Sequence, residues 1–407
     1  MQQRKVTFRM YPTESQKLLL KDSLGIHQRL YNKALEQRVN SYKENKSSLS
    51  FYNQCRFLTE WRAVDEKLEA VNAQSLQVTL KRLDLAFQAF FRRIKNGETP
   101  GFPCFKSFQR YLGWGYKTHG DGWKLFTGNN MKNGRVRLSG IGKILLRGKP
   151  RTVGIPKTAE VLHKSGRWYL SVTLNCVPIR RSGNKAIGLD WGLENYATLV
   201  KSDNTIETIE NPRFGKKLAS KIKAFHQGIS KSKKGSKNRL KLISGLGKHY
   251  HRLSNQRLNF IHQVTSKIVS DTILIATEAL EIKKMTAQGG NYKKGLNREI
   301  LDTTPGAFIN LLKCKAEEAG IQWVEVPTRI VKPTQTCHRC GSCVKKPLSL
   351  RWHICACSAN CSRDENASRV MLNWALFGQP TGQELSEVWS GGSLTALKHE
   401  THSVIAA

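Results

Sequence analysis

Three acidic residues stand where they could do chemistry. Asp190 closes the apolar run KAIGLD and is followed by Trp191 and Gly192. Glu278 closes a second apolar run, ILIAT, and Asp364 lies in RDENA, just ahead of a helix-forming stretch. Acids at the ends of neighbouring strands are costly to bury unless something pairs with them. A pair of divalent cations about 4 Å apart would do so, and would also supply an activated water and a stabilised leaving oxygen for phosphodiester hydrolysis. Hard oxygen ligands suit Mg²⁺, and the bound charge would draw in the scissile phosphate. Gly188 and Gly192 leave room there for close approach of backbone or phosphate. Each acid alone has a plainer reading. A strand-end Asp is often a turn residue, Glu281 could stand in for Glu278, and Asp364 could simply cap the helix after it. The three together carry the signal.

The second constellation is sulfur. Of ten cysteines, Cys337, Cys340, Cys343, Cys355, Cys357 and Cys361 fall within 25 residues. Cys337-x2-Cys340, fourteen residues, then Cys355-x-Cys357 gives two close pairs, a pattern for tetrahedral structural Zn²⁺. The second pair is C-x-C rather than C-x2-C, so Cys361, Cys343, His338 or His353 could replace one ligand. Zinc would fold a loop too short to bury a core of its own. Cys55, Cys104, Cys176 and Cys314 read as ordinary thiols.

These residues need elements to position them. Residues 11–100 read as mainly helical: Pro12, Thr13 and Glu14 form a helix start, with Ser15 as another cap. Leu18, Leu19, Leu24, Leu30 and Tyr31, and then Leu76, Leu80, Leu83, Phe87, Phe90 and Phe91, recur at helical spacing and predict a bundle core. From 104 to 180 short β-prone runs alternate with Gly-rich turns, predicting a small barrel or sheet that the opening strand VTFRMY joins. RRSGNK reads as a linker. From 185 the order is three strands, helices, the strand DTILIATEAL, a helix near 304–319, the strand IQWVEVP, the cysteine insertion and the helix ENASRVMLNWAL. That order fits a ribonuclease H-like α/β core. The tail after Gly378 reads as poorly ordered.

Charge bounds the partner. Lys and Arg total 67 against 30 acids, a formal net charge of +37, which points to a polyanion. Between Glu210 and Asp271 there are fifteen Lys plus Arg and no acid, too one-sided for a solvated face alone, so nucleic-acid contact is expected. Arg257 and His262 in this segment are candidates for touching RNA or a target strand, with local packing or pairing the alternative. No run of about 18 apolar residues is present, so no membrane partner is expected. The first residues lack the apolar stretch of a secretory signal, and a cytoplasmic bacterial or archaeal protein is expected.

GLDWG, ATEAL, CHRCG with the later cysteine pair, and RDENA resemble the TnpB family encoded by insertion sequences. FRMYPTESQ, GIHQRLYNKAL, GFPCFK and RLNFIHQ extend the resemblance to about residue 376. The resemblance implies an RNA-guided DNA endonuclease related to type V CRISPR effectors. Such a protein binds a transposon-derived guide RNA, recognises a short transposon-adjacent motif on double-stranded DNA and cuts with one RuvC site. The family's catalytic acids fall on Asp190, Glu278 and Asp364, and its zinc cysteines on Cys337, Cys340, Cys355 and Cys357. Gln77 aligns with a position that reads the adjacent motif. The expected architecture is α/β with added helical and β-barrel domains. A β-barrel wedge-like domain takes 1–10 and 101–183, a helical recognition domain 11–100, a RuvC-like nuclease domain 184–332 and 362–376, a zinc module 333–361, and a disordered tail 377–407. A monomer is expected. Base pairing to a guide would read sequence, leaving the protein mostly backbone contacts. Competing readings are a transposase that joins strands and a nuclease-inactive RNA-guided repressor.

Overall fold

The computed structural model describes residues 2–177, 180–287, 289–347 and 349–381. The chain forms two compact units, Met1–Pro178 and Ile179–Ala407. The tail expected to be disordered lies, from residue 382 on, outside the described residues. Before it, Phe377 ends the last helix and Gly378 caps it in the left-handed region.

The first unit opens with strand β1 (Gln2–Tyr11), then helices α1 (Glu14–Asn45), α2 (Phe51–Val64), α3 (Glu66–Glu69) and α4 (Ala73–Lys95). Strands β2 (Gly113–Tyr116), β3 (Trp123–Phe126), β4 (Gly134–Leu138), β5 (Gly142–Arg147), β6 (Ile155–Lys164) and β7 (Arg167–Cys176) follow. Thr13 caps α1 in a capping box with Gln16, satisfying the first free backbone N–H groups. The seven strands form one antiparallel sheet in the order β2-β6-β7-β1-β5-β4-β3, so β1 pairs with both β7 and β5. The core joins its inner face to α1 and α4 through Phe8, Trp114, Trp168, Leu24, Leu76 and Leu80.

Two parts of the expected helical stripes fail. Leu18 and Leu19 are 62% and 43% exposed, and Phe91 is 57% exposed. The buried seam of α1 runs through Leu20, Leu24, His27, Tyr31, Ala34 and Arg38. At 3.6 residues per turn Leu18 and Leu19 fall off that seam. Phe87, Phe90, Phe91 and Phe102 instead pack on one another near the end of α4.

The second unit is built on a five-stranded sheet, ordered β10-β9-β8-β11-β12. Strands β8 (Lys185–Trp191), β9 (Asn195–Lys201) and β10 (Ile206–Glu210) form an antiparallel meander. Helices α5 (Phe214–Lys231) and α6 (Lys237–Asp271) lead to β11 (Thr272–Glu278), which lies parallel to β8. Helices α7 (Ile282–Met285), α8 (Asn291–Thr303) and α9 (Pro305–Ala319) precede β12 (Gln322–Val326), parallel to β11. Helix α10 (Thr328–Val331), the hairpin β13 (Trp352–Ile354) and β14 (Asn360–Ser362), and α11 (Arg363–Phe377) complete the unit. RRSGNK does not hang free. Arg180 pairs with Glu318 at 3.1 Å, and the Gly183 N–H donates to the Thr272 carbonyl.

Both sheet faces are covered. Ile187, Leu189 and Ile275 pack with Ile261, Phe308 and Leu312 of α6 and α9. Ala186, Leu274 and Ala276 pack with Val370, Met371 and Leu372 of α11. Alternation along a strand therefore fixes which residues face α11: 186, 188 and 190 on β8, and 274, 276 and 278 on β11. Helix α11 lies so close to β8 that a Cβ at Gly188 would meet the Ser368 carbonyl oxygen at 1.9 Å. Among the described residues no helix is long and apolar enough to cross a membrane.

Gly188→Ala should destabilise the protein by about 3 kcal/mol, because two backbones must part to admit the methyl. Gly295→Ala in α8, where a Cβ meets nothing within 4 Å, should instead add about 0.5–1 kcal/mol. Urea unfolding of the two variants checks both signs, and equal effects would show that the contact at Gly188 is loose.

Candidate active site and cysteine centre

Register and alternation bring the acids together. Gly188 lies opposite Ala276 and Leu189 opposite Thr277 in the parallel β8–β11 pair. One step further along, Asp190 and Glu278 sit side by side on the face that α11 covers. Asp364 occupies the first turn of α11, where the helix N-terminus favours negative charge. A Cβ at Gly192 would lie 3.9 Å from an Asp364 carboxylate oxygen, so the glycine keeps the space beside that acid open.

Their electrostatics follow from this burial and proximity. Burial pushes the Asp190 carboxyl well above the usual range, and the charges of Glu278 and Asp364 push it further, against Arg363. Burial raises Glu278. Burial also raises Asp364, against the pull of Arg351. Asp190 is only 8% exposed. Among the described residues no hydrogen bond or ion pair reaches the carboxylates of Asp190 or Glu278. Buried anions without partners cost several kcal/mol each as a rule, so this donor set fits divalent cations. Glu281, the alternative to Glu278, is exposed and pairs with Lys284 at 2.7 Å.

Asp364 is placed by Gly188, where the sequence already suggested a close approach, and by further residues that spacing alone did not single out. Gly188 admits α11 to the sheet. The Ser368 hydroxyl donates to the Thr198 carbonyl of β9 at 2.9 Å. Asn366 is fully buried, and its amide donates to the carbonyls of Pro333 and Thr336. Its Oδ1 accepts from the backbone N–H of His338 at 3.1 Å and from His338 Nδ1 at 3.0 Å. Arg363 donates to the Pro347 carbonyl at 2.8 Å. The RDENA motif thus holds one acid, while Asn366 fastens α11 to the cysteine segment.

In that segment the ligand atoms of Cys337, Cys340, Cys355 and Cys357 lie within 4.8 Å of one another. Cys337 Sγ is 3.6 Å from Cys357 Sγ, and Cys340 Sγ is 3.5 Å from Cys355 Sγ. Four thiolates at about 2.3 Å from a tetrahedral zinc have edges near 3.8 Å, so the donor set fits that ion. Burial holds the Cys337 thiol up at about 12, whereas hydrogen bonds, first from Ser342, bring Cys355 down to about 6. The other candidates are engaged elsewhere. Cys361 is buried opposite His353 in the β13–β14 hairpin. Cys343 bridges to Thr336, His338 is held by Asn366, and His353 meets Lys346.

The three candidate nucleic-acid residues fall on two helices. Gln77 lies half-buried on α4 in the first unit. Arg257, on α6, is bound through Nε to Asp302 at 2.9 Å, and Asp302 also accepts from the Gly215 N–H at the start of α5. This is local pairing. His262 is half-buried on α6, its carbonyl accepting from Lys315 at 2.8 Å. The acid-free segment forms α5 and α6. No residue of α5 is buried, and burial on α6 begins only at Leu253. Among the described residues only Arg257 and Lys267 of its fifteen cations form ion pairs with acids.

A family model described as a probable transposase (OrfB_IS605) matches residues 169–288, and a Cas12f1-like TNB domain model matches 306–371. A helix-turn-helix model matches 1–47, although here residues 2–45 form a strand and one unbroken helix. A Streptomyces pristinaespiralis protein provisionally named an RNA-guided DNA endonuclease is 27% identical, over 92% of this chain and 90% of its own. The Escherichia coli K12 protein InsQ, named in the same provisional way, is 26% identical over 83% and 82%. The fold resembles the protein in a structure of the Cas12f1–sgRNA–target DNA complex, with a TM-score of 0.59 at 13% identity, covering 91% of this chain and 99% of that one. These family models and relatives match the chain from the first strand to α11, in line with the resemblance of its motifs to the TnpB family.

Proposed function

We propose that this protein is an RNA-guided DNA endonuclease of a transposable element, with its five-stranded sheet serving as a ribonuclease H-like, RuvC-type nuclease core. The convergence of Asp190, Glu278 and Asp364 on the α11 face carries the reading. In it, the three carboxylates hold a pair of Mg²⁺ ions. When bound, such a pair activates a water and stabilises the leaving oxygen of a phosphodiester. The chain supplies the geometry. Strands β8 and β11 fix two acids rigidly, and α11, locked to the sheet at Gly188, fixes the third. Cys337, Cys340, Cys355 and Cys357 hold a structural zinc that orders the segment fastened to Asn366. The names of the relatives support guide RNA and DNA as partners. The exposed cations of α5 and α6 suit backbone contact with both. The division into wedge-like, recognition, nuclease and zinc domains remains part of this proposal, as does a role for Gln77 in reading the adjacent motif.

Asp190→Ala should abolish Mg²⁺-dependent cleavage of a guided target while leaving RNA and DNA binding intact. Persistent cleavage would move the active site elsewhere, and joined rather than free ends from the wild type would favour strand transfer.

The raised Asp190 carboxyl also has a sign that can be checked. The folded state holds this proton more tightly than the unfolded chain, so metal-free stability falls as pH rises from about 4 through the folded value. In EDTA, Asp190→Asn should therefore melt above the wild type at pH 7.5 and level with it near pH 3.5. An equal melting temperature at pH 7.5 would mean that the carboxylate is well solvated.

Cys340→Ser should lower bound zinc, measured by elemental analysis, from about one per chain to well below that. Cys343→Ser should retain it. The reverse pattern would reassign the ligands.

A further inference from the structure

The sheet of the first unit has a face that the nuclease reading leaves unused. Along β1, β5, β4 and β3 alternate residues enter the core, among them Met10, Ile144, Val136 and Trp123. The residues between them face solvent, and the register aligns these in rows. Tyr11 lies opposite Leu145, Leu145 opposite Arg135, and Arg135 opposite Phe126. On one side of this row Lys143 lies opposite Arg137, and Arg137 opposite Lys124. On the other side Arg9 lies opposite Arg147.

Like charges placed directly across a sheet destabilise it. Six cations share this face, and among the described residues none of them pairs with an acid. Four of them lie over rings instead. Arg9 and Arg147 lie 4.8 Å and 5.4 Å from the Tyr11 ring centre, and Lys124 and Lys143 each lie 5.7 Å from that of Phe126. Both rings remain open, Tyr11 at 39% and Phe126 at 40% exposed. An arrangement that repels itself when bare is relieved by a polyanion. The rings add a requirement that phosphate alone does not meet, an accessible flat face.

We infer that this four-stranded face is a platform for unpaired nucleotides. Phosphates lie against the flanking rows of Arg and Lys, and bases stack on Tyr11 and Phe126. Three strand spacings separate the two rings, about 14 Å, which leaves room for intervening nucleotides. A duplex hides its base faces and would use only the charge. A second copy of this chain would bring the same positive face and be repelled. The strand could be RNA or DNA, since every base has a stacking face. The inference rests on the reading of this chain as nucleic-acid-binding, but not on cleavage, so a failed cleavage assay would leave it standing.

The test is equilibrium binding by the full-length protein in EDTA, read by fluorescence anisotropy. The probes are short labelled oligouridylate, oligothymidylate and a blunt DNA duplex. Tyr11→Ala/Phe126→Ala replaces exposed rings, and its melting temperature confirms folding. It should lose about tenfold or more in single-strand affinity with the salt dependence and duplex affinity unchanged. Arg137→Ala/Lys143→Ala should weaken all three probes and lower the single-strand salt slope by about 1.4. The probe with the larger loss in the ring variant tells RNA from DNA. Ultraviolet crosslinking of the wild type should place adducts on the peptides carrying Tyr11 or Phe126, even where other sites dominate the affinity. No adduct there, or equal losses on duplex and single strands in the ring variant, would overturn the platform.

Discussion

Asp190 is a buried acid facing two others, and the second unit is arranged around keeping it there. Its own strand cannot release it, because β8 is central, with β9 on one side and β11 on the other. Its face cannot open to water, because α11 rests on Gly188 with no space for a single added carbon. The Ser368 hydroxyl ties the same turn of α11 to β9. The result is a preorganised cluster of negative charge, opposed by Arg363 at Asp190 and first by Arg351 at Asp364. Such a cluster is unfavourable by itself and favourable around cations, which suits the metal-binding role proposed for it.

Helix α11 joins two problems. One side completes the sheet and carries Asp364; its first turns also reach the cysteine segment through Arg363 and Asn366. That segment buries few residues of its own, chiefly Cys337, His353, Ala359 and Cys361. A zinc centre on the four thiols, in the proposed reading, does there what a hydrophobic core does elsewhere. In the proposed reading, metal at the cysteines and metal at the carboxylates depend on the same helix.

Positive charge is spent differently in the two units. In the second it rides on α5 and the start of α6, helices that bury almost nothing and owe their form to each other. Phe225 fills the space over Gly245, where a Cβ would meet it at 2.7 Å. In the first it is fixed in rows on a sheet whose other face is core. Helical cations can turn away from one another; cross-strand pairs are held by the ladder. The sheet therefore carries the sharper requirement for a partner of opposite charge.

Much of this was legible in the sequence because it is local. Continuous apolar runs gave β8 and β11, the Thr13 start gave α1, and strand ends marked Asp190 and Glu278. Spacing narrowed the sulfur ligands but left the last one among several. What spacing did not reach were meetings between distant surfaces. Leu18, Leu19 and Phe91 have the right residue type for a core, yet all three stay largely exposed, Phe91 meeting Phe87 and Phe90 at the end of α4. Arg257 finds Asp302 forty-five positions away, and Cys357 rather than Cys361 joins the other three thiols. The sequence by itself determined the elements, the charge and the residue types available for metal. Only the tertiary structure decided which faces touch, because periodicity is a property of one segment, whereas the closeness of Gly188 to Ser368, or of three acids to one another, depends on two segments arriving at the same place.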